Sequence, residues 1–112
     1  MIGRKTLLIN PPLVNGVAFT RQGRCQERDE VLGTTKPPYS LIVIASLFGG
    51  LGIDFRVIDQ TAERSSTESV IERLDAESFR PGLIVFCSTT PTLPLDVGEM
   101  VRLKRRFGAP LV

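Results

Sequence analysis

The chain has 112 residues, 42% of them hydrophobic and 23% charged, with 14 Lys and Arg against 12 Asp and Glu. That composition describes one ordinary globular domain, large enough to fold without disulfide or metal, and a net charge of +2 is too small to announce nucleic acid or an anionic membrane as a partner. No histidine occurs, which excludes Cys-His and Ser-His catalysis and histidine metal ligands; no apolar stretch reaches the ~20 residues of a membrane helix, and Arg4 and Lys5 before a short apolar run do not make a signal peptide, so the expected setting is cytoplasmic.

Thr6 to Asn10 is an unbroken apolar run stopped by Pro11 and Pro12, the pattern of a strand covered on both faces. Residues 13–36 follow as a long loop without periodicity, carrying Arg21, Arg24, Glu27, Arg28, Asp29 and Glu30; loops of this length are either functional or disordered. Cys25 within it has only scattered arginines to activate its thiol and is read as incidental. After Pro37 and Pro38 the chain predicts a helix over Tyr39 to Leu51, apolar nearly all round and therefore packed deeply. Gly49, Gly50 and Gly52 end it; they lie at a helix end, not between a strand and a helix start, which separates them from a phosphate-binding loop.

Phe55 to Asp59 reads as the second strand. Ser65 and Glu68 have the spacing of a capping box, opening a helix with Val70, Ile71, Leu74 and Phe79 inward that ends before Pro81-Gly82. Leu83 to Cys87 is the third strand, with Cys87 read as a buried core thiol. The last helix runs from Leu93 or Pro94 to Phe107, with Val97, Met100, Val101 and Phe107 inward, and Gly108 and Pro110 stop it. Arg102, Lys104, Arg105 and Arg106 crowd its final turn, where cations complement the helix dipole by roughly 0.3–1 kcal/mol each, so they read as a solvated helix end. Ala109 to Val112 begins a fourth strand and ceases, so residues 1–112 are expected to be one domain of a polypeptide that continues.

Short apolar strands alternating with helix-length segments predict an α/β domain with a parallel sheet and helices on both faces. Two distant cysteines argue against a disulfide and for a reducing compartment. In such a sheet the strand ends gather on one edge, so Asn10, Pro11, Pro12, Asp59, Ser88, Thr89 and Thr90 are the candidate binding residues, and no catalytic or metal residue is proposed. Ser88-Thr89-Thr90 offers hydroxyls and N–H groups either to a phosphate or amide or to a turn; Asp59 suits either a ribose hydroxyl or a cap on the next segment.

Four segments in this order, Leu7-Leu8-Ile9-Asn10-Pro11-Pro12, Pro37-Pro38-Tyr39-Ser40-Leu41 through Ala45-Ser46-Leu47, Gly52-Ile53-Asp54-Phe55-Arg56-Val57-Ile58-Asp59 and Val85-Phe86-Cys87-Ser88-Thr89-Thr90, resemble the N-terminal cobalamin-binding domain of cobalamin-dependent radical S-adenosylmethionine enzymes, the group that includes the anaerobic magnesium-protoporphyrin monomethyl ester oxidative cyclase. The resemblance implies a flavodoxin-like or Rossmann-like three-layer sandwich with strand order 2-1-3-4. It also implies that cobalamin's nucleotide tail packs between sheet and helices while the corrin lies across the carboxyl edge. Where related cobalamin proteins carry Asp-x-His-x-x-Gly after the first strand, this chain reads Asn10-Pro11-Pro12-Leu13-Val14-Asn15, so no histidine ligates cobalt. S-adenosylmethionine and its four-iron cluster, which needs three clustered cysteines, would belong to a radical domain elsewhere in the same polypeptide. The alternatives are a docking or substrate-contact domain of such an enzyme without cobalamin, or a nucleotide- or flavin-binding or receiver domain on the same fold.

Overall fold

The computed structural model describes residues 5–19 and 38–112. Three strands, β1 (Thr6–Asn10), β2 (Phe55–Asp59) and β3 (Leu83–Phe86), form a parallel sheet in the order β2-β1-β3. Four helices accompany them: α1 (Tyr39–Gly50), α2 (Gln60–Glu63), α3 (Thr67–Ala76) and α4 (Leu93–Phe107). β1 sits in the middle, with Thr6 opposite Phe55 and Leu83 and Asn10 opposite Asp59. All five β1 residues are buried, which is why the strand tolerates no alternation of apolar and polar side chains.

Leu7 and Ile9 share one face of the pleat with Ile58 and Ile84, and α3 and α4 close that face with Val70, Leu74, Met100, Leu103 and Phe107. Leu8 has the opposite parity and is also fully buried. α1 packs on β1 and β2 and contributes nothing to the α3–α4 core, so helices lie on both faces of the sheet. The expected fourth strand is present only as a single parallel bridge between Leu111 and Ile84. There Ile84 N–H donates to Pro110 O (2.9 Å), Val112 N–H to Ile84 O (2.9 Å) and Phe86 N–H to Val112 O (3.1 Å), while Pro110, lacking an N–H, limits what the segment can pair.

Three expectations shift. α1 is not packed deeply: Leu41 is its buried residue, whereas Val43 and Leu47 are 61% and 62% exposed and Leu51 is 72% exposed. A single helix lying on a central and an edge strand covers only one stripe of its own circumference, so an all-apolar helix there must leave apolar surface in solvent. Its end is as expected: Gly52 at φ +72° lets its N–H reach Gly49 O and that of Ile53 reach Phe48 O, closing the helix.

The cap of α3 is Ser66, whose Oγ accepts from Ser69 N–H at 3.1 Å, not Ser65. Ser65 is held one residue earlier because its N–H closes α2 on Gln60 O, with Arg64 in the left-handed region at φ +53°. Glu68 pairs across to Arg102 of α4. In α4 the buried stripe is Asp96, Met100, Leu103 and Phe107, spaced i, i+4, i+7 and i+11, while Val97 is exposed and Val101 half-buried. A carboxylate on the inward face conceals this phase from a reading based on apolar residues. Two of the basic residues near the end of α4 meet carboxylates, Arg106 reaching Asp75 (2.7 Å) and Arg102 reaching Glu68 and Glu99. No helix of the described residues is long and apolar enough to cross a membrane.

The two sides of α1 should respond differently to substitution. Leu41→Ala is expected to cost about 2–5 kcal/mol in urea unfolding, while Val43→Glu should change stability by less than about 0.5 kcal/mol; equal losses would mean that the exposed face of α1 is packed after all.

Candidate functional site

Because the strands are parallel, their carboxyl ends meet on one edge. At its centre the Asn10 side chain donates from Nδ2 to Asp59 Oδ1 at 2.8 Å, and its Oδ1 accepts from the Cys87 thiol at 3.0 Å. One amide thus ties the ends of all three strands. Cys87 is therefore not a core thiol within a strand: it lies one residue past β3, half-buried, and serves as a polar partner. Asp59 caps α2, accepting Ala62 N–H at 3.1 Å, so of its two sequence readings the capping role is the one observed.

α2 fastens the loop after β1. Thr61 Oγ1 donates to Pro11 O at 2.7 Å with both residues buried. Gln60, fully buried, donates to Ser65 O (3.3 Å) and to Thr67 Oγ1 (3.4 Å), and Thr67 in turn donates to Glu99 on α4. Gln60 Oε1 is buried without a hydrogen-bond partner among the described residues.

The hydroxyl segment after β3 turns inward. Ser88 Oγ donates to Asp96 Oδ2 at 2.6 Å, and Thr92 Oγ1 donates to the same oxygen at 2.7 Å. Asp96 is only 1% exposed and sits in the first turn of α4, where the helix dipole favours a carboxylate. Thr89 Oγ1 lies 3.4 Å from Thr92 Oγ1, and Thr90 is exposed. The backbone donors here have carbonyl partners: Thr92 and Leu93 N–H both reach Thr89 O, and Leu95 and Asp96 N–H both reach Thr92 O. Pro94 has no N–H to give.

Between this turn and the chain leaving β1 lies a cleft of about 130 Å³, lined by Pro12, Leu13, Val14, Asn15, Leu95, Asp96 and Glu99. Val14 and Val17 exchange two backbone hydrogen bonds of 2.9 Å, and Asn15 (φ +50°) and Gly16 (φ +79°) make the two-residue turn between them. Residues 20–36 of the expected loop, with Cys25, Arg21, Arg24, Glu27, Arg28, Asp29 and Glu30, and the Pro37 that follows it lie outside the described residues. Of the sequence candidates, the structure joins Asn10 to Asp59, ties Pro11 to Thr61 of α2, turns Ser88 onto Asp96 of α4 and Thr89 towards Thr92, sets Pro12 in the cleft wall, and leaves Thr90 at the surface. Asn15, Asp96 and Glu99 were not among them. The Val-Asn-Gly-Val hairpin signal pointed to the first; an acid at the start of a helix directly after three hydroxyls pointed to the second. Comparison of the chain with protein-family models, curated proteins and solved structures returned no match.

Removing the shared acceptor should unsettle this edge. Asp96→Ala leaves Ser88 and Thr92 without it and is expected to lower unfolding free energy by about 1–3 kcal/mol, with Asp96→Asn milder; an alanine variant as stable as the parent in urea would show that the network carries no weight. α2 is also clamped from outside by a two-pronged pair, Arg73 Nη2 to Glu63 Oε2 (2.7 Å) and Nη1 to Oε1 (3.3 Å). The hydrogen bonds from Arg73 hold the Glu63 carboxyl below its usual 4.5. A depressed folded value means the contribution is complete above about pH 4.5 and fades as pH falls through the lowered value. The pair is solvent-exposed, so Glu63→Gln should cost under about 1 kcal/mol at pH 7 and nothing once acid has protonated Glu63 in the parent, as urea melts at the two pH values will read.

Proposed function

We propose that the chain is the cobalamin-binding module of a larger cytoplasmic radical S-adenosylmethionine enzyme, a cyclase of the magnesium-protoporphyrin type or a methyltransferase, on the flavodoxin-like three-layer plan with strand order 2-1-3-4. The observation that carries this reading is the three-strand edge drawn together by Asn10, with Pro11 and Pro12 on one side and Ser88 to Thr90 on the other. A polar rim of amide, carboxylate and hydroxyl groups without strong acids or bases of catalytic type suits holding a large neutral ligand better than proton transfer. Asp59, Thr89 and Thr90 would face the amide-rich periphery of a corrin and Pro12 its apolar ring, while Asn10 and Pro11, both buried, hold the edge beneath them. Cobalamin, when bound, supplies a cobalt centre able to carry an alkyl group. With no histidine in the chain, none of its residues offers that cobalt an imidazole. The chain's own part is to hold and orient the ligand; S-adenosylmethionine and the four-iron cluster would lie on the radical domain.

The residues suit the corrin but not the nucleotide tail. A cleft of about 130 Å³ is well below the roughly 300–1,000 Å³ of an enclosing ligand pocket, and two of its walls are carboxylates. A second reading, a docking domain without cobalamin, is favoured by a different observation: Tyr39, Val43, Leu47 and Leu51 expose a continuous uncharged helix next to the half-bare edge strand β2, where Val57 is 41% exposed.

The purified chain mixed with hydroxocobalamin and desalted should retain corrin absorbance in the visible spectrum. Asn10→Ala, verified as folded by circular dichroism, should lose it. A parent chain that retains none loses the cobalamin reading and leaves the docking one.

A further inference from the structure

Asparagine followed by glycine is the dipeptide that a two-residue hairpin favours, because both central positions take a positive φ that a short polar side chain and a bare hydrogen tolerate. Asn15 at φ +50° and Gly16 at φ +79° meet that requirement, and the two 2.9 Å bonds between Val14 and Val17 hold them at the tip. The same dipeptide sets a carboxamide carbon beside a backbone nitrogen that can attack it. The chain has two asparagines, and their surroundings differ. Asn10 is 4% exposed, its amide is bonded to Asp59 and Cys87, and the nitrogen that follows it belongs to Pro11, which has no proton to lose. Asn15 and Gly16 are both exposed, and among the described residues only chain neighbours come within 4 Å of where a Gly16 side chain would begin.

We propose that Asn15 is a modification site at which the chain deamidates without an enzyme. The Gly16 backbone nitrogen gives up its proton and bonds to Cγ of Asn15; the bond from Cγ to Nδ2 breaks, and the amide group leaves with that proton as ammonia. Water then opens the resulting succinimide at one of its two carbonyls. Cleavage between Cγ and the Gly16 nitrogen gives aspartate, and cleavage of the original peptide bond gives isoaspartate, whose main chain runs on through Cβ and Cγ. Water is the co-reactant, and nothing is oxidised or reduced. Either product puts a carboxylate in the wall of the cleft where Asn15 was neutral. Isoaspartate also lengthens the main chain between Val14 and Val17, so the pair of hydrogen bonds that closes the tight turn is lost. The inference is independent of which ligand the edge holds.

The test is to age the folded full chain in mildly alkaline buffer and map it by tryptic digestion and mass spectrometry. Cleavage after Lys5 and Arg21 returns both asparagines in one peptide, Thr6 to Arg21, so fragment ions assign the change within a single species. The expected result is the mass gain of an amide turned to an acid at position 15, divided between aspartate and isoaspartate, with Asn10 intact. An Asn15 that stays intact in the folded chain overturns the proposal, as does conversion at Asn10 instead, or a product at position 15 that is aspartate alone. Native-state hydrogen exchange supplies a second check. The Val14 and Val17 amides should lose protection in the separated isoaspartate form and keep it in freshly prepared Asn15→Asp, since Asp-Gly suits the same turn; equal protection in the two forms overturns the claimed opening of the hairpin.

Discussion

The structure depends on β1 being buried on both faces and paired on both sides, because a central strand with no exposed residue must end in something that satisfies its last polar group. Asn10 is that group, 4% exposed, and its amide has both a donor and an acceptor to place. It places them on Asp59 and Cys87, the residues that parallel register delivers at the ends of the two flanking strands. An aspartate at position 10 would put two carboxylates together, and an aliphatic residue would remove the side-chain link from β1 to Asp59 and Cys87. The polar composition of the edge is thus first a consequence of closing the sheet, and any ligand has to be accommodated on terms already set by that closure.

The same economy governs α4. An inward-facing acid on an otherwise apolar stripe is costly unless hydrogen-bonded, and here the hydroxyls of Ser88 and Thr92 converge on one of its oxygens from the preceding turn. That arrangement fixes the path of the chain between β3 and α4 and uses up groups that a phosphate would have wanted. Structural and binding roles therefore compete for the same donors at this turn. Such competition explains why hydroxyl-rich segments after a strand cannot be assigned to a ligand by composition alone.

Much of the fold was legible because its signals are local. The apolar runs ending at Asn10 and Asp59 and the glycines at 52 and 108 fall where the elements begin and end, since strand burial and left-handed helix stops act within a few residues. What escaped depends on distant partners. The phase of α4 turns on Asp96 being neutralised in its hydrogen bonding by Ser88, and the cap of α3 shifts from Ser65 to Ser66 because the four-residue α2 intervenes. The short turn at Asn15-Gly16 was readable from its dipeptide and its flanking valines, yet the polar stretch beyond it masked the signal. The burial of α1 was overestimated for a different reason: hydrophobicity measures what a helix can bury, while the number of elements around it decides what it does bury.

That last difference separates the two faces of the molecule. One side of the sheet is closed by α3 and α4, whose side chains complete a core with Leu7, Ile9, Ile58 and Ile84; on the other, among the described residues, α1 is the helix lying on β1 and β2. A three-stranded sheet presents more surface than one helix covers, so the apolar excess falls on the outer side of α1 and on the edge strand at Val57. The carboxyl edge is the reverse case, polar and internally satisfied. Binding a ligand at the edge and meeting another protein surface along α1 would therefore draw on separate residues with opposite chemistry, and substitutions that alter one leave the hydrogen-bond network of the other in place.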